Sequence, residues 1–460
     1  MKLTTSHIAN LVRRYAGAGP RYTSYPTANH FSDAYKPGNQ VETLSSMPAQ
    51  QALSLYIHVP FCQTICYYCA CNKIVTADKK KAATYLDYLE KEFGLVSRLL
   101  AEEQPVEQLH FGGGTPTYLN DEQLSRVISD LRHSFNLSDK PDRDYSIEID
   151  PRTVDGNRIR HLTSLGFNRL SLGIQDFDTD VQKAINRLQS TQETKEIVDT
   201  ARDAGFKSIS VDLMYGLPLQ TVSRFEKTLE EVRQINPDRI SLFNYAHLPA
   251  RFKTQRQIKD EELPSPGEKL KLLSHSIRYL VDAGYQYVGL DHFAKPDDDL
   301  FTAQSEGSLH RNFQGYTTHS HCDLIGFGVS SISSINGHYS QNFKTLDAYY
   351  QALDKNTLPV EKGLSITPDD EITRDVLTNL MCKSSVNFRV FEERFNTKFE
   401  EYYESEMQTL QAYSEDGLLE LSATGIQITD TGRLLLRNIA AVFDAYLPVQ
   451  GTPNNFSQSI

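Results

Sequence analysis

From residue 54 to residue 294 short apolar runs alternate with longer stretches whose apolar residues recur every three or four positions. "SLYIHVPF" reads as a buried strand, and Tyr85, Leu86, Leu89 and Phe93 then fall at helical spacing in a helix predicted over 80–103. "QLHFGGG" is a strand running into glycines, followed by a helix over 121–135. "YSIEID" precedes a helix ending at "SLGF", and "RLSLGIQ" a helical stretch to Ala204. "SISVDLMYG" and "RISLFNYAH" are two further strands with a helix between them. A helix over 268–283 leads to "YQYVGLDHFA", a seventh candidate strand. Repeated strand-then-helix units argue for parallel strands with crossover helices. About six units are too few for an eight-unit barrel, so the expected fold is α/β, a partial (β/α)6 TIM-like barrel. In such a barrel chemistry gathers at the C-terminal ends of the strands. The cysteine loop, Gly112–Gly114, Glu148, Gln175, Asp212 and Ala246 all sit at such ends.

Outside this stretch the pattern changes. Residues 1–50 lack alternation, and "GPRYTSYPTANHF" reads as an extended arm. The catalytic domain is expected over 51–355. Over 356–450 "EITRDVLTNLMC", "NFRVFEERF", "EYYESEMQTLQAYSEDG" and "TGRLLLRNIAAVFDAYL" are amphipathic and helical, with a β-hairpin in "LLELSATGIQIT". That order suggests a small, mostly helical, winged-helix-like domain, followed by a flexible tail over 451–460.

Composition narrows the function. The chain has 460 residues and a net charge of −12, which argues against broad binding to nucleic acid or anionic membrane. No long apolar run spans a membrane and no secretory leader is evident, so a cytoplasmic address is expected. No heptad or long exposed apolar stretch is evident, and a monomer is expected.

Four of the six cysteines, Cys62, Cys66, Cys69 and Cys71, lie within ten residues. Disulfides fit a reducing compartment poorly. A thioredoxin-like Cys66–Cys69 pair would leave Cys62 and Cys71 unexplained. Zinc sites usually draw ligand pairs from two separated knuckles. An iron–sulfur cluster fits best, because one loop can wrap a compact cluster.

The stretch "YIHVPFCQTICYYCAC" resembles the cluster loop of radical S-adenosylmethionine enzymes, and "HFGGGTPTYL" resembles their glycine motif. With "SIEIDPRT", "GFNRLSLGIQDF", "DLMYGLP", "LFNYAHLP", "DHFAKPDDDL" and "LHRNFQGYTT", the chain is similar to the oxygen-independent coproporphyrinogen III oxidases from "RYTSYPT" to "GRLLLRNIAAVFDAYL". The resemblance implies a 4Fe–4S cluster on Cys62, Cys66 and Cys69, with one iron left for the amino and carboxylate groups of S-adenosylmethionine. It implies one or two molecules of that cofactor, contacted by Tyr56, Tyr68, Gly112, Gly113, Gly114, Thr115, Glu148, Gln175, Arg187, Asp212, Ala246 and Ile332. A 5′-deoxyadenosyl radical would then act on two propionates of coproporphyrinogen III, with a separate electron donor and electron acceptor. Cys71 and Tyr56 are the candidate catalytic side chains, Cys71 facing substrate or cofactor without ligating iron. Arg21, Lys295, His310 and Arg311 are candidate partners for substrate carboxylates. The arm is expected to close over the pocket. Related members of the superfamily carry haem as chaperones or modify the haem ring, which are the rival readings. Tyr68 stands where the family commonly has Phe, and Ala70 where it commonly has Gly.

Overall fold

The computed structural model describes residues 10–447 apart from 12, 16 and 18, so the tail over 451–460 lies outside the described residues. Six strands run parallel in chain order: β1 (Leu53–Val59), β2 (Pro105–Gly113), β3 (Asp144–Ile149), β4 (Arg169–Gln175), β5 (Ser208–Tyr215) and β6 (Arg239–Asn244). Helices Lys80–Ser97, Asp121–Ser134, Gly156–Ser164, Thr191–Asp203 and Val222–Ile235 cross between them. Their starts are fixed locally. Asn120 and Gln123 form a reciprocal capping box, and Asp155, Ser190 and Thr221 each cap the helix that follows.

The strands alternate by burial. In β3, β4 and β5 the apolar residues face the helices, while Ser146, Glu148, Ser171, Gly173, Ser210 and Asp212 are only half buried. Parallel strands are usually apolar on both faces. Here the inner face is polar, and it encloses a cavity of about 200 Å³ rather than a packed interior. At its foot, ion pairs Arg169–Asp299 (2.6 Å) and Arg239–Asp298 (2.8 Å) close the barrel.

"YQYVGLDHFA" is not a seventh parallel strand. It folds into a hairpin, β7 (Gln286–Gly289) and β8 (His292–Ala294), because Gly289 and Leu290 take positive φ (157° and 48°) and reverse the chain. β8 pairs antiparallel with β6. The first crossover helix stops at Ser97 rather than 103. On the other side of β1 the sheet continues through β9 (Asp323–Phe327), parallel to β1, then antiparallel β10 (Ile332–Ile335), β11 (His338–Asn342) and β12 (Val360–Ser365). β12 therefore belongs to the main sheet, although the sequence reading ends that domain at 355. Segments such as "HYSQN" and "VEKGLS" are too short and polar to show a strand period.

The N-terminal segment is only partly extended, since Pro37–Ser45 is a helix. Ser32 bridges to Gly363 and so covers the β12 edge. The other edge, β7, is covered by Arg433 of the C-terminal domain, whose guanidinium donates to Val288 O at 3.0 Å. That domain places helices Pro368–Lys383, Phe388–Phe395 and Glu404–Glu415 around a three-stranded sheet of 385–387, 425–428 and 419–422. Its core, with Phe388 stacked on Phe399, also takes in Leu11, Tyr22 and Tyr25 of the arm. Arg437 holds the arm by donating to the carbonyls of Gly19 and Pro20, and Tyr22 donates to Asp444 at 3.0 Å.

Candidate active site

The cysteine loop is closed at its base. Phe61–Cys62 pairs in parallel with Ile74–Val75, with Ile74 N donating to Pro60 O (2.7 Å) and Thr76 N to Cys62 O (3.0 Å). Neighbouring loops grip it. Asn186 donates to Ile65 O (2.7 Å), Thr254 to Cys69 O (3.2 Å) and Gln255 to Tyr68 O (3.0 Å). Gln255 also donates to Ala246 O (3.2 Å), which sets Ala246 beside Tyr68. Sequence reasoning singled out none of Asn186, Thr254 or Gln255, since backbone-directed side chains in loops carry no spacing signal.

Cys62 and Cys66 are buried, Cys69 is half buried and Cys71 is solvent-accessible. Burial pushes the Cys62 thiol up to about 11, against a hydrogen bond from Thr115. A hydrogen bond from Cys71, with help from the Lys73 ammonium, holds Cys69 down at about 6 despite burial. The thiolate is the form that ligates metal. Cys71 is held high by that same contact, and the carboxylate of Glu148 lies close enough to add to it. The charges of Cys71 and Glu148 both reach the Tyr56 hydroxyl, so the three groups share one region of the site.

The glycine motif packs against the stem of this loop. Gly114 N donates to Val59 O and Thr115 N to Phe61 O, each at 2.9 Å, and Thr115 Oγ1 reaches Cys62 Sγ at 3.5 Å. A Cβ on Gly114 would sit 2.8 Å from Pro60 backbone, and one on Gly112 2.9 Å from Glu148 Oε1. Protein groups themselves already demand the missing side chains.

Acidic and aromatic groups follow around the rim. The Tyr56 ring stacks on His110 at 5.7 Å, and its hydroxyl lies 3.1 Å from His58 Nδ1. His110 bridges Ser146 (2.6 Å) and Glu148 (3.3 Å), a link that no local pattern announces. Glu148 also accepts from Gly113 N at 3.3 Å. Asp212 is pushed up to about 7 by burial and then by Glu148, with Ser171 donating to it at 3.3 Å. Gln175 takes a positive φ of 69° after a bulge in β4, and its buried Oε1 has no partner. Arg187 meets carboxylate and sulfur of the protein itself: Asp150 at 3.1 Å and Cys66 Sγ at 3.5 Å, with Gly173 O as a third acceptor. Its Nε is buried without a partner. Arg152 also reaches Asp150 (2.7 Å) and Cys66 Sγ (3.6 Å), so the two guanidiniums hold Asp150 below the usual carboxylate range despite its burial.

Residues 56–232 match the radical SAM superfamily, and residues 366–435 match the HemN C-terminal domain. The chain is 51% identical to the oxygen-independent coproporphyrinogen III oxidase of Pseudomonas aeruginosa, across 96% of each chain. It is 46% identical to the Escherichia coli oxidase of the same name, across 98% of each. The chain belongs to the oxygen-independent coproporphyrinogen III oxidase family. The solved structure of the Escherichia coli coproporphyrinogen III oxidase, described as a radical SAM enzyme, superposes with a TM-score of 0.91 over 95% of this chain and 99% of that one.

Membership of this oxidase family brings a 4Fe–4S cluster and S-adenosylmethionine. The residues present fit both. Three thiols from one closed loop, two guanidiniums against Cys66, and orphaned Gln175 Oε1 and Arg187 Nε suit an anionic cluster and a polar cofactor. Eleven of the twelve candidate cofactor positions fall in two groups along the sheet. Tyr56, Gly112, Gly113, Gly114, Thr115 and Glu148 lie at β1–β3, while Tyr68, Gln175, Arg187, Asp212 and Ala246 gather toward β4–β6. Ile332 stands apart on β10, beyond Gly326, the residue facing Tyr56 on β9.

The candidate substrate cations separate too. Lys295 is not at the mouth, because its ammonium is tied to Asp238 (3.0 Å) and Asn236 O (3.0 Å) at the far end of β6. Burial lowers His310 toward its neutral form. Arg21 lies over Phe243, which lines the barrel cavity, with Asp291 at 3.5 Å. Arg311 is buried over the Tyr316 ring at 4.9 Å, and its Nε and Nη1 have no acceptor.

Proposed function

We infer that the chain carries out oxygen-independent oxidative decarboxylation of two propionates of coproporphyrinogen III to vinyl groups, giving protoporphyrinogen IX. The observation that carries the reading is convergence. A three-thiol loop rests on the glycine motif through Thr115 and Cys62, the glycine motif bonds to Glu148, and Glu148 with Ser171 and Asp212 lines the barrel cavity, in a chain half identical along its length to enzymes of that name. When bound, the cluster and S-adenosylmethionine supply a 5′-deoxyadenosyl radical that removes a hydrogen atom from the propionate. Each side chain then loses carbon dioxide and one electron, so the reaction needs an electron donor and a separate acceptor.

The chain's own residues bind and orient. Cys62, Cys66 and Cys69 would hold the cluster, and Arg187 with Arg152 would neutralise charge beside Cys66. Glu148, Asp212 and Gln175 Oε1 accept hydrogen bonds from ammonium or hydroxyl groups of the cofactor. Tyr56, Tyr68 and Ala246 supply its apolar walls. Cys71, accessible and beside Tyr56, serves the substrate side rather than the iron. Arg21 and Arg311 take substrate carboxylates, and the arm, clamped by Arg437, shields the mouth from water and oxygen.

No helix among the described residues is long and apolar enough to cross a membrane. A monomer acting in the cytoplasm, where thiols stay reduced, suits this chemistry. The test is anaerobic turnover of reconstituted protein with S-adenosylmethionine, reductant, coproporphyrinogen III and cell extract as acceptor. Protoporphyrinogen IX with 5′-deoxyadenosine is expected. Cleavage of S-adenosylmethionine with intact propionates would refute the reading in favour of a haem-carrying or ring-modifying role.

A further inference from the structure

At the end of the barrel strands opposite the cysteine loop, residues 318–322 lead from a short hairpin, 310–317, into β9. The sequence there is His319-Ser320-His321-Cys322. The loop is pinned. Gln51 Nε2 donates to His321 O (2.6 Å), Cys322 N to His319 O (3.2 Å), and Asp323 N to Ala52 O (3.0 Å). Across β1, strand β2 carries one extra residue: Leu53 faces Val106, and Ser54 faces Gln108. Glu107 is therefore the bulged residue, and a bulge re-aims its side chain. Its Oε2 lies 2.7 Å from His321 Nε2. Cys322 Sγ completes a triplet whose three ligand atoms all lie within 4.8 Å of one another. The His319 ring stands 5.9 Å from that of His321.

We propose that Glu107, His321 and Cys322 bind a divalent first-row transition ion, with zinc the best match, and His319 or water in the fourth position. Thiolate, imidazole and carboxylate together form the mixed donor set that zinc accepts, whereas magnesium and calcium favour oxygen alone. A tetrahedral zinc needs its donors about 3.3–3.7 Å apart, given bonds of about 2.0–2.3 Å. The Glu107–His321 pair opens by about 0.6 Å, the proton between them moving to Nδ1 or to solvent, and one hydrogen bond gives way to two metal bonds. Cys322 gives its thiol proton to solvent on binding. The ion fastens the start of β9 to β2 across the end of β1, far from the cysteine loop, and does not depend on the proposed decarboxylation.

The test uses full-length protein with its iron–sulfur cluster reconstituted. It is incubated with Zn²⁺, desalted, and its metals are measured by inductively coupled plasma mass spectrometry. About one zinc per chain is expected. His321→Ala, Cys322→Ser and Glu107→Gln should each weaken zinc binding about 100-fold or more while iron stays unchanged. Zinc-edge X-ray absorption of the unmutated protein should show one sulfur at about 2.3 Å and the remaining nitrogen or oxygen ligands near about 2.0 Å. This decides the matter even if a variant fails to fold. Failure to retain zinc, equal retention in folded His321→Ala and Cys322→Ser, or a sulfur-only spectrum that places zinc on the cluster cysteines would each overturn the proposal.

Discussion

Replacing Gly114 with alanine tests whether the glycine motif supports the cysteine loop. Gly114 lies outside the positive-φ region, so the added methyl acts through space alone. Its Cβ would come 2.8 Å from the C and O of Pro60 and 2.9 Å from Phe61 O. These are backbone atoms, so no rotamer change relieves the contact. Carbon contacts are optimal at about 3.5–4.0 Å, so the two segments must part by about 0.6 Å or more. The hydrogen bonds Gly114 N–Val59 O and Thr115 N–Phe61 O, both 2.9 Å, would then stretch toward the limit of hydrogen bonding. Losing them costs about 1 kcal/mol each, and overpacking about 1–3 kcal/mol more. The sum, about 3–5 kcal/mol, falls where Thr115 touches Cys62. Gly267→Ala is the control, since nothing lies within 4 Å of its Cβ and it sits in helix Pro266–Asp282, where alanine is favoured. Thermal melting and iron content after anaerobic reconstitution are the readouts. Gly114→Ala should melt lower and lose most of its iron, while Gly267→Ala keeps both. If Gly114→Ala holds iron and melts like the control, the glycines do not support the loop.

Asp212 supplies a pH test. Its folded pKa of about 7 lies above the usual carboxylate value, so folding disfavours the ionised form. That penalty is absent below about pH 4 and complete above about pH 7. Without S-adenosylmethionine, wild type should therefore lose about 1–2 kcal/mol relative to Asp212→Asn across that range, water in the cavity screening the rest. Denaturant melts at both ends measure it, and a constant gap would refute it. Arg311→Met removes a guanidinium with two unmet donors, and should raise KM for coproporphyrinogen III about 10–100-fold at near-constant kcat and iron content. An unchanged KM would remove Arg311 from the substrate site. Cys71→Ser should keep its iron and lose decarboxylation in the turnover assay, whereas loss of iron would make Cys71 a ligand.

What is local was legible in the sequence. Cys62, Cys66, Cys69 and Cys71 can be read as one metal-binding loop because they lie within ten residues. The barrel strands can be read because each carries apolar residues that pack against the crossover helices. Arg187 shows the limit of such reading. Its sequence position suggests a fork for a cofactor carboxylate, yet the fold places Asp150 and the Cys66 sulfur against it. Whether a charge is free or matched depends on chain segments distant in sequence, and local pattern does not hold that information. The same reason hides β10–β12, whose short polar strands exist through their pairing. It separates Lys295, spent on Asp238, from Arg311, whose donors stay unmet. It also hides the polar barrel interior, which needs all six strands side by side before its serines and carboxylates share one cavity. Sequence alone determined which thiols share a loop and how strands and helices alternate. Tertiary structure decided which charges are neutralised, where Glu107 points and what the glycines support, because each of those depends on contacts made only when distant segments pack.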